Sequence, residues 1–190
     1  MGKNLNKFEV ELDHSMTHFN WYYGRHEVGH ISKPCDFWAV VNGIHYDLEA
    51  KSLEKFACFP LDNLQEHQKE DMLKGEKNGT VGFIIICFRR RKDKVTNKKY
   101  PRGKIVYTRD PKAYAIRVGD WEKIEKEIYK ERATIPESYF ERKEFIPVNK
   151  IRIPKRTGGT EIGWDLPGLL ERNGYPKLSK RRAVLNPSAQ

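Results

Sequence analysis

Residues 35–51 read CDFWAVVNGIHYDLEAK, and they contain the clearest local signal in the chain. Asn42-Gly43 lies between two runs that are rich in β-branched and aromatic residues. This arrangement is the strongest short-range signature of a β-hairpin closed by a two-residue type I′ turn. In such a hairpin Val41 faces Ile44, and every other opposed pair follows from that one. The segment therefore predicts two antiparallel strands with a defined register.

The predicted register divides the hairpin side chains between two chemically different faces, because successive side chains of a strand point to opposite sides. One face is wholly apolar and is expected to be buried; it consists of Phe37, Ala39, Val41, Ile44, Tyr46, Leu48 and Ala50. The other face consists of Asp36, Trp38, Val40, His45, Asp47, Glu49 and Lys51.

The polar face brings two carboxylates and a lysine together where the strands leave the hairpin. Asp36 faces Glu49, and opposed Cβ atoms lie about 4.5–5.5 Å apart, so the two charges would destabilise the sheet unless something binds between them. Mg²⁺ prefers oxygen ligands of this kind, and such an ion can lower the pKa of a bound water and neutralise a phosphoryl group. Lys51, on the same face, could stabilise charge on that phosphate. The alternative is a surface hairpin with ordinary cross-strand charges, and we favour the metal site.

The positive charge of the chain is concentrated in one short segment. The formal net charge is +10 over 190 residues, but residues 1–88 contain more acidic than basic residues. Residues 89–104 contain nine Lys and Arg and a single Asp, and we interpret them as a basic loop. A polyanion, most commonly nucleic acid, is the natural partner of such a segment, whereas a solvated basic loop without a partner is the alternative.

Helical and strand patterns alternate around the hairpin. Asp62 or Asn63 is expected to cap the second helix, and Gln68 is a polar residue on its otherwise apolar stripe. The predicted helices cover about residues 4–18, 61–77 and 120–132, and the further strands cover about 80–88, 104–108 and 113–118.

The composition changes from Ala133 onward. Six of the ten prolines follow that residue, together with Gly158-Gly159, which argues against a long helix or a regular sheet. We therefore predict a core of residues 1–132 and a Pro-rich basic C-terminal tail of residues 133–190. The tail is expected to be extended, with short elements at most, and to be anchored by Tyr139, Phe140, Phe145 and Trp164.

The composition also excludes several classes of protein. Three cysteines without CxxC spacing argue against a disulfide scaffold or a zinc ribbon and fit a reducing cytoplasm, so we expect a cytoplasmic protein with small, buried cysteines. No apolar run approaches about 18 residues, so no membrane association is expected. The pairs His14/His18 and His26/His30 have a spacing that zinc can use, but the sequence places no further ligands beside them.

The hairpin residues and their continuation resemble a known family. Asp36 followed by Glu49-Ala50-Lys51 is similar to the core of the restriction-endonuclease-like nucleases. The specific part resembles RecU-type Holliday junction resolvases. It comprises Tyr46 to Lys51, Phe59-Pro60-Leu61 with Asn63, His67-Gln68, Met72, Gly82 to Ile85 and Phe88, and also Phe8 to Leu12.

The resemblance implies a fold, a reaction and a set of site residues. The fold would be α/β, a restriction-endonuclease-like mixed sheet of about five strands flanked by helices. The enzyme would be a homodimeric endonuclease that cuts four-way DNA junctions and depends on Mg²⁺, with Mn²⁺ as a possible substitute. Asp36, Glu49 and the Ala50 carbonyl would ligate the metal with Glu9 close by, Lys51 would be the catalytic lysine, and Gln68 would reach the site from its helix. Independently of the resemblance, the basic segment that follows the predicted strand 80–88 supplies the expected DNA contacts, which are Arg89, Arg90, Arg91, Lys92, Lys94, Lys98 and Lys99.

The chain departs from the family in two respects: the tail after about residue 132 has no recognised counterpart in it, and the connection before Asp36 is short. Residues 24–33, between the first helix and Asp36, are short, so the stalk that such resolvases insert into the junction is not expected. Two other functions therefore remain open. One is a nuclease of the same fold that acts on other branched or linear DNA, and the other is a non-catalytic DNA-binding module.

Overall fold

The computed structural model describes residues 6–26, 35–54, 58–89, 91–97, 99–108, 110–128, 133–154 and 159–174. Its helices are α1 (Lys7–His18), α2 (Glu66–Lys77), α3 (Val118–Ile128) and α4 (Leu166–Arg172). Its strands are β1 (Tyr22–Arg25), β2 (Phe37–Val41), β3 (Ile44–Leu53), β4 (Cys58–Pro60), β5 (Val81–Phe88), β6 (Arg91–Asn97), β7 (Tyr100–Thr108), β8 (Lys112–Arg117), β9 (Thr134–Pro136), β10 (Ile146–Val148), β11 (Lys150–Pro154) and β12 (Thr160–Trp164). None of the helices in these ranges has both the length and the apolar composition that crossing a bilayer requires.

The predicted hairpin is confirmed, together with its register. β2 and β3 pair antiparallel, with Val41 opposite Ile44 and Phe37 opposite Leu48. Asn42 and Gly43 have φ angles of 52° and 79°. A type I′ turn requires positive φ at both central residues, which Asn and Gly adopt at little cost.

The hairpin belongs to a six-stranded mixed sheet, in which the strand order is β1-β2-β3-β5-β8-β10. β5 runs parallel to β3, whereas β8 pairs antiparallel with β5. Helices cover both faces of this sheet, so the predicted α/β class with a mixed sheet flanked by helices is confirmed, with one strand more than expected.

The continuous apolar run of β5 is explained by burial on both faces, as expected for a strand covered by helices on each side. Phe83, Ile85 and Cys87 pack into a core that also contains apolar residues of α1 and α4. Ile84 and Ile86, which alternate with them, pack into a second core that contains residues of α2 and α3.

The second helix begins later than predicted. Residues 61–63 form a 3₁₀ turn, and α2 begins at Glu66. The cap is neither Asp62 nor Asn63: Gln65 and Gln68 form a reciprocal capping box, in which each side chain bonds to the other's backbone. This pairing satisfies backbone N–H groups that are otherwise unpartnered at a helix start.

The basic segment is not a loop. β6 and β7 form an antiparallel two-stranded ribbon, with Arg91 opposite Thr108 and Asn97 opposite Tyr100. The high charge suggested a loop, but the segment also contains residues that favour extended structure, namely Val95, Thr96, Ile105 and Val106. The ribbon connects two adjacent strands of the main sheet, β5 and β8.

The segment after residue 132 is more integrated than the predicted tail. It does consist of short elements, and Phe140, Phe145 and Trp164 are buried as expected. However, β10 is an edge strand of the main sheet and pairs with β8. α4 contributes Leu166 and Leu169 to the same core as α1. Residues 133–154 and 159–174 therefore form part of the core rather than an appendage.

A buried polar network ties this C-terminal segment to α1. The carboxylate of Glu11 accepts hydrogen bonds from Arg89 Nη1 at 2.9 Å and from Trp164 Nε1 at 3.0 Å. The Trp164 backbone N–H donates to Ser15 Oγ at 2.8 Å, and the Trp164 ring packs edge-on against Phe8. Because a buried carboxylate is costly without partners, Arg89 and Trp164 together stabilise Glu11 in the core.

Replacing Trp164 tests whether the C-terminal segment belongs to the core. We predict that Trp164→Ala lowers the free energy of unfolding by about 3–5 kcal/mol, the usual cost of deleting a buried aromatic side chain. Tyr22→Ala is the control, since Tyr22 is 72% exposed and should cost less than about 1 kcal/mol. Urea unfolding followed by circular dichroism measures both values. Equal, small effects of the two substitutions would show that the segment is an appendage.

Candidate active site

The two predicted carboxylates lie where the hairpin strands separate. The β2–β3 ladder ends at the pair Phe37–Leu48, so Asp36 and Glu49 occupy the next opposed positions. Both are buried, with Asp36 7% and Glu49 1% exposed. The sequence thus places two acidic side chains together in a poorly hydrated part of the molecule.

A backbone group of β3 fixes the orientation of Asp36. The Ala50 N–H donates to Asp36 Oδ2 at 3.0 Å. Because the N–H and C=O of one strand residue point toward the same neighbouring strand, the Ala50 carbonyl oxygen also faces the side on which Asp36 lies. The Asp36 carboxylate is therefore held against the backbone of Ala50, at the position opposite Glu49.

Lys51 and Gln68 complete a compact hydrogen-bonded group around Glu49. Lys51 Nζ lies 2.7 Å from Glu49 Oε1 and donates to Gln68 Oε1 at 3.2 Å. Gln68 Nε2 in turn donates to Glu49 Oε1 at 2.8 Å. The Lys51 side chain is 17% exposed, so the ammonium is largely withdrawn from water but can still be reached from outside.

α2 positions Gln68 beside Glu49, because the helix is held by its capping box, by the core and by α3. The Oε1 atom of Gln68 also accepts the N–H of Gln65, within the capping box that starts the helix. One turn along, Met72 is fully buried in the core. Lys69 joins α2 to α3 through an ion pair with Glu125 at 2.7 Å. The position of Gln68 is therefore set by the core and by α3 as well as by the site itself.

Glu9 lies at the start of α1, where it interacts with the helix cap Asn6 through its backbone and its side chain. Its carboxylate lies 3.9 Å from Arg25 Nη2. Arg25 is the β1 residue opposite Phe37, which is the neighbour of Asp36 in the chain. Glu9 is thus at the same end of the sheet as Asp36, and its participation in a metal site stays a prediction.

The residues predicted to contact DNA differ in their location and burial. The structure argues against Arg89 as a DNA contact, because its side chain is only 8% exposed and is paired with Glu11 where β5 ends. Arg91, Lys92 and Lys94 lie in β6, with side chains outside what the structure describes. Lys99 is exposed in the turn of the ribbon. Arg90 and Lys98 lie outside the described residues.

A second group of side chains beside the carboxylates was missed. His26, Cys35 and Asp47 bring a ring nitrogen, a sulfur and a carboxylate oxygen within 4.8 Å of one another. Burial, reinforced by Asp47 and Glu49, raises the pKa of the Cys35 thiol, and burial also raises the pKa of Asp47 against the opposing effect of His45 and His26. Asp47 shares a strand face with Glu49 and could have been found from the alternation of β3. The proximity of His26 to Cys35 and Asp47 could not have been found in this way, because the sequence between His26 and Cys35 has no periodic pattern.

The chemistry available at the Glu49 group is well defined. Carboxylate, carbonyl and carboxamide oxygens are ligands for hard divalent cations, and an ammonium held beside them can bind an anionic oxygen. Because water is largely excluded here, charges interact more strongly than they would on the surface. The group therefore suits the binding and polarisation of a phosphate ester.

Comparison with known proteins agrees with the sequence resemblance. The model of the family described as recombination protein U matches residues 12–98, a range that contains Asp36, Glu49, Ala50, Lys51 and Gln68. A protein named Holliday junction resolvase RecU from Bacillus pumilus is 42% identical over 55 residues, which are 29% of this chain and 27% of that protein. One of the same name from Leuconostoc mesenteroides is 31% identical over 71 residues, 37% of this chain and 33% of that protein.

The alignments are local, so they span between a quarter and a third of the length of these two curated relatives. Among solved structures, Hjc from Archaeoglobus fulgidus, titled a Holliday junction resolvase, matches 52% of this chain and 93% of its own. The TM-score of that match is 0.36 and the sequence identity is 17%. The family model and the two named relatives confirm the resemblance to RecU-type resolvases for the segment that contains the hairpin and α2.

Proposed function

Since residues 12–98 have the sequence pattern of recombination protein U, we propose that this chain is a cytoplasmic, Mg²⁺-dependent endonuclease that resolves Holliday junctions in DNA recombination and repair. The reaction would be the hydrolysis of phosphodiester bonds. The observation that supports it best is the buried group in which Glu49 contacts both Lys51 and Gln68 beside Asp36.

The donor set fits a hard divalent cation. Asp36, Glu49 and the Ala50 carbonyl would hold Mg²⁺, or Mn²⁺ in its place, and Glu9 would support the site from α1. All of these donors are oxygen atoms, as Mg²⁺ prefers. When bound, the cation supplies Lewis-acid chemistry by polarising the phosphate and lowering the pKa of a coordinated water.

Lys51 and Gln68 have separate tasks in this proposal. The Lys51 ammonium would bind a phosphate oxygen and offset the negative charge that grows there as the bond to the leaving group breaks. Gln68 would orient that ammonium, because its Oε1 accepts from Lys51 Nζ while its Nε2 holds Glu49. Before DNA binds, Glu49 neutralises Lys51, which lowers the cost of burying either charge.

DNA affinity would come largely from the β6–β7 ribbon. Residues 1–88, which contain the site, have more acidic than basic residues, so the net charge of this segment cannot attract DNA. The ribbon begins directly after β5, which pairs with the catalytic strand β3. Arg90, Arg91, Lys92, Lys94, Lys98 and Lys99 are therefore proposed as phosphate contacts, without Arg89.

A homodimer follows from the proposed task. Resolution of a four-way junction needs two symmetric cuts, and a twofold dimer presents two equivalent sites. The alternatives are a nuclease of the same kind that acts on other branched or linear DNA, and a non-catalytic DNA-binding module. The complete set of Asp36, Glu49 and Lys51 speaks against the second alternative.

Neutralising either carboxylate tests the proposed metal site. Asp36→Asn and Glu49→Gln should each reduce junction cleavage below about one per cent of wild type, since loss of one group that stabilises transition-state charge costs about 10²–10³ in rate. Binding to the junction should persist, because neither side chain is among the basic residues proposed to supply the affinity for DNA. Cleavage of a labelled junction in Mg²⁺ and gel-shift binding in EDTA measure the two effects.

The matched controls for these variants are Asp62→Asn and Glu70→Gln, which alter exposed acidic residues. They should cleave like wild type. Substantial cleavage by Asp36→Asn or Glu49→Gln would refute a site built on the two carboxylates.

Replacing Lys51 separates catalysis from metal binding. Lys51→Ala should slow single-turnover cleavage at saturating DNA by about 10²–10⁴-fold, the range for a positioned group that acts in the transition state. Mn²⁺ affinity, measured by calorimetry, should change little, because an ammonium is not a ligand. Lys77→Ala, which alters an exposed lysine of α2, is the control. A fully active Lys51→Ala would make this lysine a structural partner of Glu49 and nothing more.

The salt dependence of binding locates the DNA contacts. Changing Arg90, Arg91, Lys92 and Lys94 to Gln should weaken junction binding more than deleting residues 177–190, which removes the same number of basic residues. The log–log salt slope should fall by up to about 3–4 units, at roughly 0.9 per lost phosphate contact. Turnover at saturating DNA should be retained. An unchanged slope in the ribbon variant, with a large loss in the deletion, would assign DNA binding to the C-terminal residues.

A further inference from the structure

The group formed by His26, Cys35 and Asp47 is separate from the proposed Mg²⁺ ligands. Its three donor atoms all lie within 4.8 Å of one another. The residues come from three different segments: His26 follows β1, Cys35 precedes β2, and Asp47 belongs to β3 opposite Trp38. Tertiary structure therefore brings together side chains that no short sequence motif links.

The segments that supply these donors are held in place by backbone contacts. The His26 N–H donates to the Asp36 carbonyl at 3.2 Å, which fixes the end of β1 beside the start of β2. Cys35 is fully buried, and its thiol donates to the Phe37 carbonyl at 3.1 Å. Asp47 has a 13% exposed side chain and lies 3.5 Å from His45 Nε2. The donor atoms thus lie close together at the edge of the hairpin.

The identity of the donors determines which ion would fit. Imidazole nitrogen and thiolate sulfur are ligands that zinc and similar transition metals favour, whereas Mg²⁺ takes oxygen atoms. Zinc bonds of about 2.0–2.3 Å at tetrahedral angles place ligand atoms roughly 3.3–3.8 Å apart. Small side-chain rotations would bring atoms that already lie within 4.8 Å to those separations.

We propose that His26, Cys35 and Asp47 form a structural site for Zn²⁺ or a similar transition-metal ion, distinct from the oxygen-ligand site at Asp36 and Glu49. Three protein ligands leave the fourth tetrahedral position to water or to the adjacent His45. A bound ion would fasten the end of β1 to β2 and β3 next to Asp36, and would thereby stabilise the catalytic hairpin. The proposal depends only on the cluster geometry and stands whether or not the chain cuts DNA.

Cobalt substitution tests the site directly. The full chain is stripped of metal with EDTA, dialysed and titrated with Co²⁺, which replaces Zn²⁺ in such sites and absorbs visible light. We expect one equivalent to produce a thiolate-to-cobalt charge-transfer band together with tetrahedral visible bands, and Zn²⁺ to displace them. Mg²⁺ in large excess should leave the bands unchanged.

Variants assign the bands to the cluster. Cys35→Ser should abolish the charge-transfer band, whereas Cys58→Ser, which alters a half-buried cysteine outside the cluster, should retain it. His26→Gln, at a partly exposed position, should weaken Co²⁺ affinity at least tenfold. Glu49→Gln should keep the bands, because it alters the other site only.

Thermal unfolding provides a second readout that tolerates destabilised variants, since each variant is compared with itself with and without metal. Zn²⁺ at about a hundredfold excess over its dissociation constant should raise the wild-type midpoint by about 5–10 °C, and Cys35→Ser should show no such rise. The absence of a cobalt–thiolate band in wild type, or a band that survives Cys35→Ser, would overturn the proposal.

Discussion

The hydrogen bond from the Gln68 carboxamide to Glu49 is the interaction on which the candidate site depends. It joins α2 to β3 at a distance of 2.8 Å, within the buried core of the molecule. The same carboxamide accepts from Lys51 and from the backbone of Gln65. One side chain therefore takes part in the helix cap, contacts the lysine and donates to a buried carboxylate, and its loss would remove a hydrogen-bond donor from Glu49 and an acceptor from Lys51.

The packing around this hydrogen bond holds α2 and β3 at a fixed separation. β3 is held by β2 on one side and by the fully buried strand β5 on the other. α2 is held by Met72 in the core and by the pair of Lys69 with Glu125 of α3. Acidic and basic groups that would be costly in isolation are thus supported by rigid packing, which is how catalytic groups are usually preorganised.

Local sequence signals were sufficient for the part of the fold that forms the site. Asn42-Gly43 specifies the turn, and the turn specifies which residues oppose each other, so the positions of Asp36, Glu49 and Lys51 followed by counting. Gln68 was recognisable as a polar residue on an apolar helical stripe. Such inferences succeed because hairpin register and helical periodicity are properties of short segments.

Non-local contacts account for what the sequence did not reveal. The burial of Arg89 depends on Glu11, which is far away in the chain, and charge counting could only assign Arg89 to a basic loop. The integration of the Pro-rich segment depends on β10 pairing with β8 and on Trp164 reaching α1. The grouping of His26 with Cys35 and Asp47 likewise requires three segments to converge. The proline and charge content of a segment is a property of that segment alone, whereas its packing depends on the other segments that it contacts.

A cleavage assay on a panel of DNA structures tests the central claim most directly. Wild-type protein would be incubated in Mg²⁺ or EDTA with a four-way junction, a flap and a linear duplex that share one sequence, and the products mapped on denaturing gels. The account predicts Mg²⁺-dependent, paired nicks at symmetric positions in opposing strands of the junction, with the duplex cut far more slowly. Absence of cleavage of every substrate in Mg²⁺ and in Mn²⁺ would contradict the proposed nuclease site, and equal cleavage of junction and duplex would contradict the proposed selectivity for junctions.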